Sequence, residues 1–255
     1  ACGSSYVQWV AATEKCVFDM DLACIGKWVR LVDFGDVAIS SRFVYQVKCR
    51  PNGTVEAFCR WTPRGYEEQA WLHYDPNDIF SPTPQLAVLR FILVRALLSG
   101  GRTFHLDFKR AFSHAPIDRT VVVKLPAGYK KYDKDGYELA MQLEKSSEGL
   151  KQSAAQWTKL LTKHLVELGF TQCPKEPCLW RGIMHSGETA YIEIYVDDVF
   201  GTVPDDEASA QWVRDLVDYL DVNCAPCKFL GEIKSCLGIE IEWNADRTRV
   251  SLSCA

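Results

Sequence analysis

The chain has 255 residues, of which 47% are hydrophobic, so it can bury a substantial core in one large domain or in two interleaved ones. No apolar run reaches membrane-spanning length, and residues 1–6 lack the charged-then-apolar layout of a signal peptide.

The eleven cysteines follow no framework spacing, and Cys224 and Cys227 form a lone C-x-x-C pair. We therefore expect reduced thiols, no zinc site, no membrane partner and an intracellular, cytoplasmic protein.

The formal net charge of −4 is unusual for a protein that binds nucleic acid, because such proteins usually carry a basic surface. The acids are concentrated, however, since residues 193–221 hold nine acidic residues and one base, Arg214. The whole chain has 29 basic and 33 acidic residues, so 28 basic and 24 acidic residues lie outside this segment. The rest of the chain therefore has a formal net charge of +4. An acidic segment beside a mildly basic remainder suits a protein that binds both metal ions and nucleic acid. It equally suits an enzyme that binds no nucleic acid.

Hydrophobic periodicity predicts the secondary-structure elements. Strands are predicted at residues 43–49, 54–61, 102–107, 189–196, 199–203 and 237–243. The first helix begins at Thr83 and Pro84 and ends at Gly100, the second runs from Ser153 to a stop at Gly169, and the third opens at Asp205 or Asp206. His164 lies on the apolar stripe of the second helix, which favours a packed residue over a ligand. Residues 126–140 are predicted to be a flexible excursion. Helices between strands of a largely antiparallel sheet predict an α+β fold.

Asp107 ends a short apolar strand and precedes a helix-like turn. An acid at such a position is held by a rigid element and exposed by a loop, which is typical of catalytic residues. The alternative is a surface acid that caps the following turn.

Asp197 and Asp198 lie at the tip of a predicted β-hairpin. Residues 189–196 alternate in hydrophobicity, and residues 199–203 form the returning strand. Adjacent aspartates are also ordinary turn residues, so this pattern alone leaves a plain turn open. If the ends of these strands and of the Asp107 strand are neighbours in the sheet, three carboxylates could bind two Mg²⁺ ions about 4 Å apart, as in nucleotidyl transfer.

Several segments of the chain resemble the reverse transcriptases of copia-type LTR retrotransposons. The main ones occur in the family's order, at residues 104–112, 143–153, 195–198 and 237–241. Residues 28–32, 43–48, 52–56, 64–66 and 78–82 resemble the N-terminal segment of the same family. The resemblance runs from about Trp9 to Trp243.

This resemblance implies an RNA-directed DNA polymerase that adds deoxynucleoside triphosphates to a primer 3′-hydroxyl along an RNA or DNA template. Two Mg²⁺ ions would be its cofactors, with Mn²⁺ as a substitute. It implies a right-hand arrangement with fingers at residues 1–83 and 115–152 and a palm with a largely antiparallel sheet at residues 84–114 and 153–255. The thumb, RNase H and integrase would be neighbouring polyprotein domains missing from this chain, and an active element would place it in a virus-like particle.

The resemblance also implies roles for individual residues. Asp107, Asp197 and Asp198 match the metal-binding acids, with the Phe108 carbonyl as a further ligand, and Lys228 matches a lysine that protonates the leaving pyrophosphate. Phe112 matches the aromatic residue that blocks a ribose 2′-hydroxyl, and Lys151, Arg60 and Arg64 match residues that bind the nucleotide. From composition alone, Phe112 is equally a core residue, and each of these cations is an ordinary surface charge.

Some positions depart from the family pattern. Ser147, Glu148, Ala154 and Ala155 replace family residues around the Gly-Leu-Lys-Gln-Ser segment, and Cys59 precedes Arg60 where the fingers have another cation. Residues 61–63 replace an otherwise aliphatic strand of the family, and Pro63 removes a ladder hydrogen bond there. Glu148 would repel a triphosphate, unless it pairs with Lys151 or Arg60. The departures keep open a catalytically decayed remnant that folds or binds nucleic acid without turnover. The order of the motifs disfavours an unrelated metal-dependent phosphotransferase.

Overall fold

The computed structural model describes residues 5–22, 25–49 and 53–254. It divides into two compact units, which we call unit 1 (residues 1–80 and 112–156) and unit 2 (residues 81–111 and 157–255). The helices are α1 (Ser5–Leu22), α2 (Leu86–Ser99), α3 (Ser153–Glu167) and α4 (Glu207–Asn223). The strands are β1 (Gly26–Arg30), β2 (Ser41–Cys49), β3 (Val55–Pro63), β4 (Arg102–Phe108), β5 (Val122–Lys124), β6 (Lys131–Tyr132), β7 (Glu138–Leu143), β8 (Thr171–Cys173), β9 (Glu176–Ile183), β10 (Thr189–Tyr195), β11 (Asp198–Val203), β12 (Cys227–Gly231), β13 (Ser235–Cys236), β14 (Ile239–Trp243) and β15 (Val250–Cys254).

Unit 1 contains two antiparallel sheets. Strands β1, β7 and β5 lie side by side, and β6 also pairs with β7. Strands β2 and β3 form a separate long hairpin against which α1 packs. Trp61 of β3 is buried in the core of this unit, and its indole N–H donates to the Ser41 hydroxyl at 2.8 Å. Part of the segment that precedes β3, residues 50–52, lies outside the described residues.

The predicted excursion at residues 126–140 contains β6 and the start of β7. Between these strands, the Asp133 carboxylate accepts hydrogen bonds from the backbone N–H groups of Asp135 and Tyr137, each at 2.9 Å. Arg30, on β1, forms ion pairs with Asp133 and Asp135. This turn is therefore in contact with a cation far away in sequence, which local composition does not reveal.

Unit 2 is built on a six-stranded antiparallel sheet in the order β12-β4-β11-β10-β9-β8. One face packs against α2, where Leu89, Ile92 and Leu93 form a core with Phe200 of β11. On the other face, the fully buried Trp157 of α3 meets the Phe108 ring edge-on, with centroids 5.1 Å apart. A smaller sheet, β13-β14-β15, contributes Cys236 and Ile241 to the α2 core.

The predicted helix boundaries are mostly confirmed. Helix α3 begins at Ser153, and Gly169 follows its end with φ +83°. At the start of α4, the Asp206 side chain accepts the Ser209 N–H at 2.7 Å. The α2 boundary differs, since the helix begins at Leu86 and not at Thr83 and Pro84. Gln85 is extended, and Leu86 is the first residue of the helix to pack against the core of unit 2.

The described parts of the chain contain no helix that is both long and apolar enough to cross a membrane. All nine cysteines that the structure describes are free thiols. Burial raises the pKa of Cys224 and of Cys227 to about 12, so both are protonated thiols near neutral pH.

The close contact between Gly201 of β11 and Phe104 of β4 can be tested by substitution. Gly201 lies directly opposite Phe104, and an added methyl group would overlap the buried Phe104 ring. We expect Gly201→Ala to lower the free energy of unfolding by about 1–3 kcal/mol in urea denaturation, because overpacking forces the strands apart. Phe104→Leu supplies the control. Adding Gly201→Ala to Phe104→Leu should cost less than adding it to the wild type, whereas strictly additive effects would contradict this explanation.

Candidate active site

A two-residue turn, Val196 and Asp197, joins β10 to β11, as the predicted hairpin requires. Val196 has φ +53°, a strained conformation for a β-branched residue that costs about 1–3 kcal/mol. Two hydrogen bonds hold the turn: the Trp157 indole N–H donates to the Val196 carbonyl at 2.6 Å, and the Phe108 N–H donates to the Asp197 carbonyl at 2.9 Å. The exposed Asp197 side chain therefore projects from a backbone that is fixed on two sides.

The strand register aligns three predicted site residues across the sheet. Asp198 of β11 is directly opposite Asp107 of β4, and Lys228 of β12 is opposite Asp107 on its other side. Directly opposite side chains lie on one face, with Cβ atoms about 4.5–5.5 Å apart. The expectation that the two acidic strand ends are neighbours is confirmed. Two facing carboxylates repel each other unless a cation lies between or beside them.

His105 also belongs to this site, although the motifs did not single it out. Its Nε2 lies 2.7 Å from Asp198 Oδ1, and its ring packs on Phe200 with centroids 4.5 Å apart. The signal for it in the sequence was its spacing, because residues two apart on a strand share a face and Asp107 is two residues further on.

Glu193 is a buried acid on β10, the strand that leads into the Val196–Asp197 turn. Its side chain is 0% exposed, and neither carboxyl oxygen has a hydrogen-bond partner within the described part of the chain. Burial, with a smaller contribution from the Glu176 carboxylate, raises the pKa of Glu193 to about 7. The alternation along residues 189–196 put Glu193 on the same face as Tyr191 and Tyr195, and did not indicate that this face is buried.

Unit 1 contains the predicted nucleotide-binding residues. Arg60 forms an ion pair with Glu148, which is one of the two pairings considered for that acid. The Lys151 ammonium donates to the Glu68 carbonyl at 3.1 Å and lies 4.8 Å from the centre of the Tyr74 ring.

The other two predicted nucleotide-binding residues are also in unit 1. Arg64 Nη1 lies 3.9 Å from Glu67 Oε1. The buried Nε of Arg64 has no hydrogen-bond partner among the described residues. Phe112 is half-buried, and its backbone carbonyl accepts a hydrogen bond from the Ala115 N–H at 3.2 Å.

The acidic strand ends offer oxygen donors of the kind that Mg²⁺ prefers. Across residues 5–22, 25–49 and 53–254, no group of three or more His, Cys, Asp or Glu side chains is arranged to hold a metal ion. Mg²⁺ commonly takes only one or two protein carboxylates and completes its shell with water and substrate phosphates. The facing pair of Asp107 and Asp198, with Asp197 on the adjacent turn, fits that requirement.

The fold is similar to that of a solved viral reverse transcriptase. A solved foamy viral protease–reverse transcriptase in complex with double-stranded DNA matches with a TM-score of 0.50 and 11% identity, over 96% of this chain and 35% of that one. At that identity the match concerns the fold alone. It confirms a mixed helix-and-sheet architecture with antiparallel sheets.

A family model described as "Reverse transcriptase (RNA-dependent DNA polymerase)" matches residues 28–254, so the chain belongs to this family. The chain is also 26% identical over 182 residues to the "Retrovirus-related Pol polyprotein from transposon TNT 1-94" of Nicotiana tabacum. That match covers 71% of this chain but only 13% of the polyprotein. The resemblance to a reverse transcriptase domain of copia-type elements is therefore confirmed.

Glu193 makes stability depend on pH. The folded state raises its pKa from 4.5 to about 7, so wild-type stability falls as pH rises through that window, by on the order of 3 kcal/mol in total. Glu193→Gln stays neutral, and its free energy of unfolding relative to wild type should therefore increase from pH 5 to pH 8 in urea denaturation. Glu188→Gln, at an exposed position, should show no such trend. A pH-independent difference for Glu193→Gln would contradict the raised pKa.

Proposed function

We propose that this chain is an RNA-directed DNA polymerase domain of a copia-type retrotransposon polyprotein, which transfers a nucleotide to a primer 3′-hydroxyl by two-metal catalysis. The observation that carries the proposal is the register that sets Asp198 opposite Asp107, in a chain of the reverse transcriptase family. Its substrates are an RNA or DNA template, a primer and deoxynucleoside triphosphates. The foamy viral relative, described in complex with double-stranded DNA, supports a nucleic-acid partner.

Asp107, Asp197 and Asp198, with the Phe108 carbonyl, are the residues that would hold two Mg²⁺ ions, or Mn²⁺ in their place. When bound, such ions supply positive charge that favours ionisation of the attacking hydroxyl and departure of pyrophosphate. Support comes from the local backbone. The Phe108 N–H bonds to the Asp197 carbonyl, which keeps the end of β4 beside the aspartate turn.

Lys228 is proposed to donate a proton to the leaving pyrophosphate. Its position opposite Asp107, together with its exposed side chain, supports this role, because an ammonium group beside a metal-binding acid is close to the reacting phosphates. In unit 1, Arg60, Arg64 and Lys151 are proposed to bind the triphosphate, where arginine offers bidentate pairing. Phe112 is proposed to exclude the ribose 2′-hydroxyl.

We further propose the right-hand division of the chain, with fingers at residues 1–83 and 115–152 and palm at residues 84–114 and 153–255. The division into two units, each with its own core, supports it. The chain spans 13% of the tobacco polyprotein that it matches, and the thumb, RNase H and integrase of such a polyprotein are proposed partners. A cytoplasmic site of action, within a virus-like particle, belongs to the same proposal.

Asp197→Asn should lower primer extension on an RNA template by about 100-fold or more, because an amide cannot supply the charge that holds the ion. The turn tolerates asparagine, so thermal unfolding should be unchanged. The measurement is extension with Mg²⁺ by the polyprotein-derived enzyme that contains this chain. Asp218→Asn, an equal charge change at an exposed position of α4, is the matched control. Equal rates for wild type and Asp197→Asn would refute catalysis here, and no extension by the wild type would favour the decayed remnant.

Glu148→Gln should lower the KM for deoxynucleoside triphosphate by about two- to fivefold at low salt, because it releases Arg60 from its ion pair. The gain should shrink at high salt, since exposed charges are screened. Adding Glu148→Gln to Arg60→Ala should give no gain, because the released cation is then missing. The same gain in both backgrounds would mean that Glu148 acts on the substrate independently of Arg60.

A further inference from the structure

We infer that His105 is a positioning residue for Asp198: it holds one carboxylate oxygen and so presents the other to the divalent ion. The inference rests on the proposed function, because it concerns the metal-binding role proposed for Asp198. It adds a residue that neither the motifs nor the family comparison single out.

The distance fits a hydrogen bond, since His105 Nε2 lies 2.7 Å from Asp198 Oδ1. A metal-binding carboxylate is ionised and can only accept, so in that state the imidazole donates through Nε2. The His105 side chain is 15% exposed and that of Asp198 is 31% exposed. The donor is therefore largely enclosed by protein, while the carboxylate keeps an open side.

The imidazole ring has a rigid support. It packs on Phe200 at a 4.5 Å centroid separation and a 33° interplanar angle, and Phe200 is itself only 1% exposed. His105 is opposite Phe200 on β11 and opposite Gly231 on β12, so a strand pairs with it on each side. A donor fixed in this way restricts the rotation of the Asp198 carboxylate before an ion binds. Ion binding then costs little further conformational entropy.

The chemistry of a facing carboxylate pair explains why such a donor would be needed. Asp198 and Asp107 are directly opposite, and their repulsion would turn the two carboxylates away from each other. A hydrogen bond to Oδ1 opposes that rotation and does not occupy Oδ2. Partners that orient metal-binding carboxylates typically contribute 10- to 100-fold in metal affinity.

The opposite effect is also conceivable on the same geometry, since the imidazole could hold Asp198 away from an ion and weaken binding. The two effects differ in sign. Removing the donor weakens metal binding if His105 positions the carboxylate, and strengthens it if His105 competes for it.

The test is Mn²⁺ binding in the absence of nucleotide, at fixed pH, followed by the electron paramagnetic resonance signal of free Mn²⁺. His105→Phe keeps a ring against Phe200 and removes the donor, so the Mn²⁺ Kd should rise about tenfold. His105→Leu is a second variant without a donor, in case the first does not fold. His105→Gln keeps an N–H donor and should restore the Kd to within about threefold of wild type.

Two further variants make the result specific. His164→Gln alters another histidine of unit 2 that contacts a carboxylate, Glu167, and should leave the Kd unchanged. Asp107→Asn removes a proposed ligand and should weaken binding. If Asp107→Asn weakens binding while both variants without a donor bind as wild type or more tightly, the positioning role is overturned and the metal site stands. If wild type and Asp107→Asn have the same Kd, the metal site fails, and the positioning role fails with it.

Discussion

The antiparallel register between β4 and β11 is the constraint on which the site depends. It sets Asp107 opposite Asp198, and it brings His105 and Phe200 together on the same face. Because side chains alternate between faces along a strand, a slip of one residue would exchange Asp198 for Val199 on that face. The acidic pair would then be lost without any change in sequence.

Packing on both faces of the sheet enforces this register. Phe200 is buried against α2 on one face, while Val199 and Leu106 are buried on the other. Gly201 leaves the space that the Phe104 ring occupies. A slipped pairing would exchange the side chains of the two faces, so that Val199 would replace Phe200 against α2 and the core on each face would pack poorly.

The same strands carry the least favourable features of unit 2. Val196 has a positive φ, Glu193 is a buried acid without a hydrogen-bond partner among the described residues, and two carboxylates face each other at the strand ends. Each lowers stability, and a well-packed sheet is what allows them to persist. The strained turn and the facing acids contribute to the geometry proposed for catalysis, whereas the structure offers no such role for Glu193.

The sequence by itself determined the elements whose signals are local. The hairpin around Asp197, the Asp206 cap of α4 and the glycine stop of α3 follow from period, capping and turn chemistry, and all three are present. The order of the motifs was enough to recognise the family. Nine strands were not predicted: β1, β5, β6, β7, β8, β9, β12, β13 and β15. Four of them, β5, β6, β8 and β13, have only two or three residues, which carry too little periodicity to stand out.

Only the tertiary structure decided how those elements meet. Three contacts join residues that are distant in sequence: Glu148 with Arg60, Arg30 with Asp133, and His105 with Asp198. The burial of Glu193 likewise depends on elements elsewhere in the chain that pack over its face of the sheet. Local sequence specifies backbone preference and which side chains share a face. The partner across a sheet or an ion pair is set by packing of the whole chain, which no local pattern encodes.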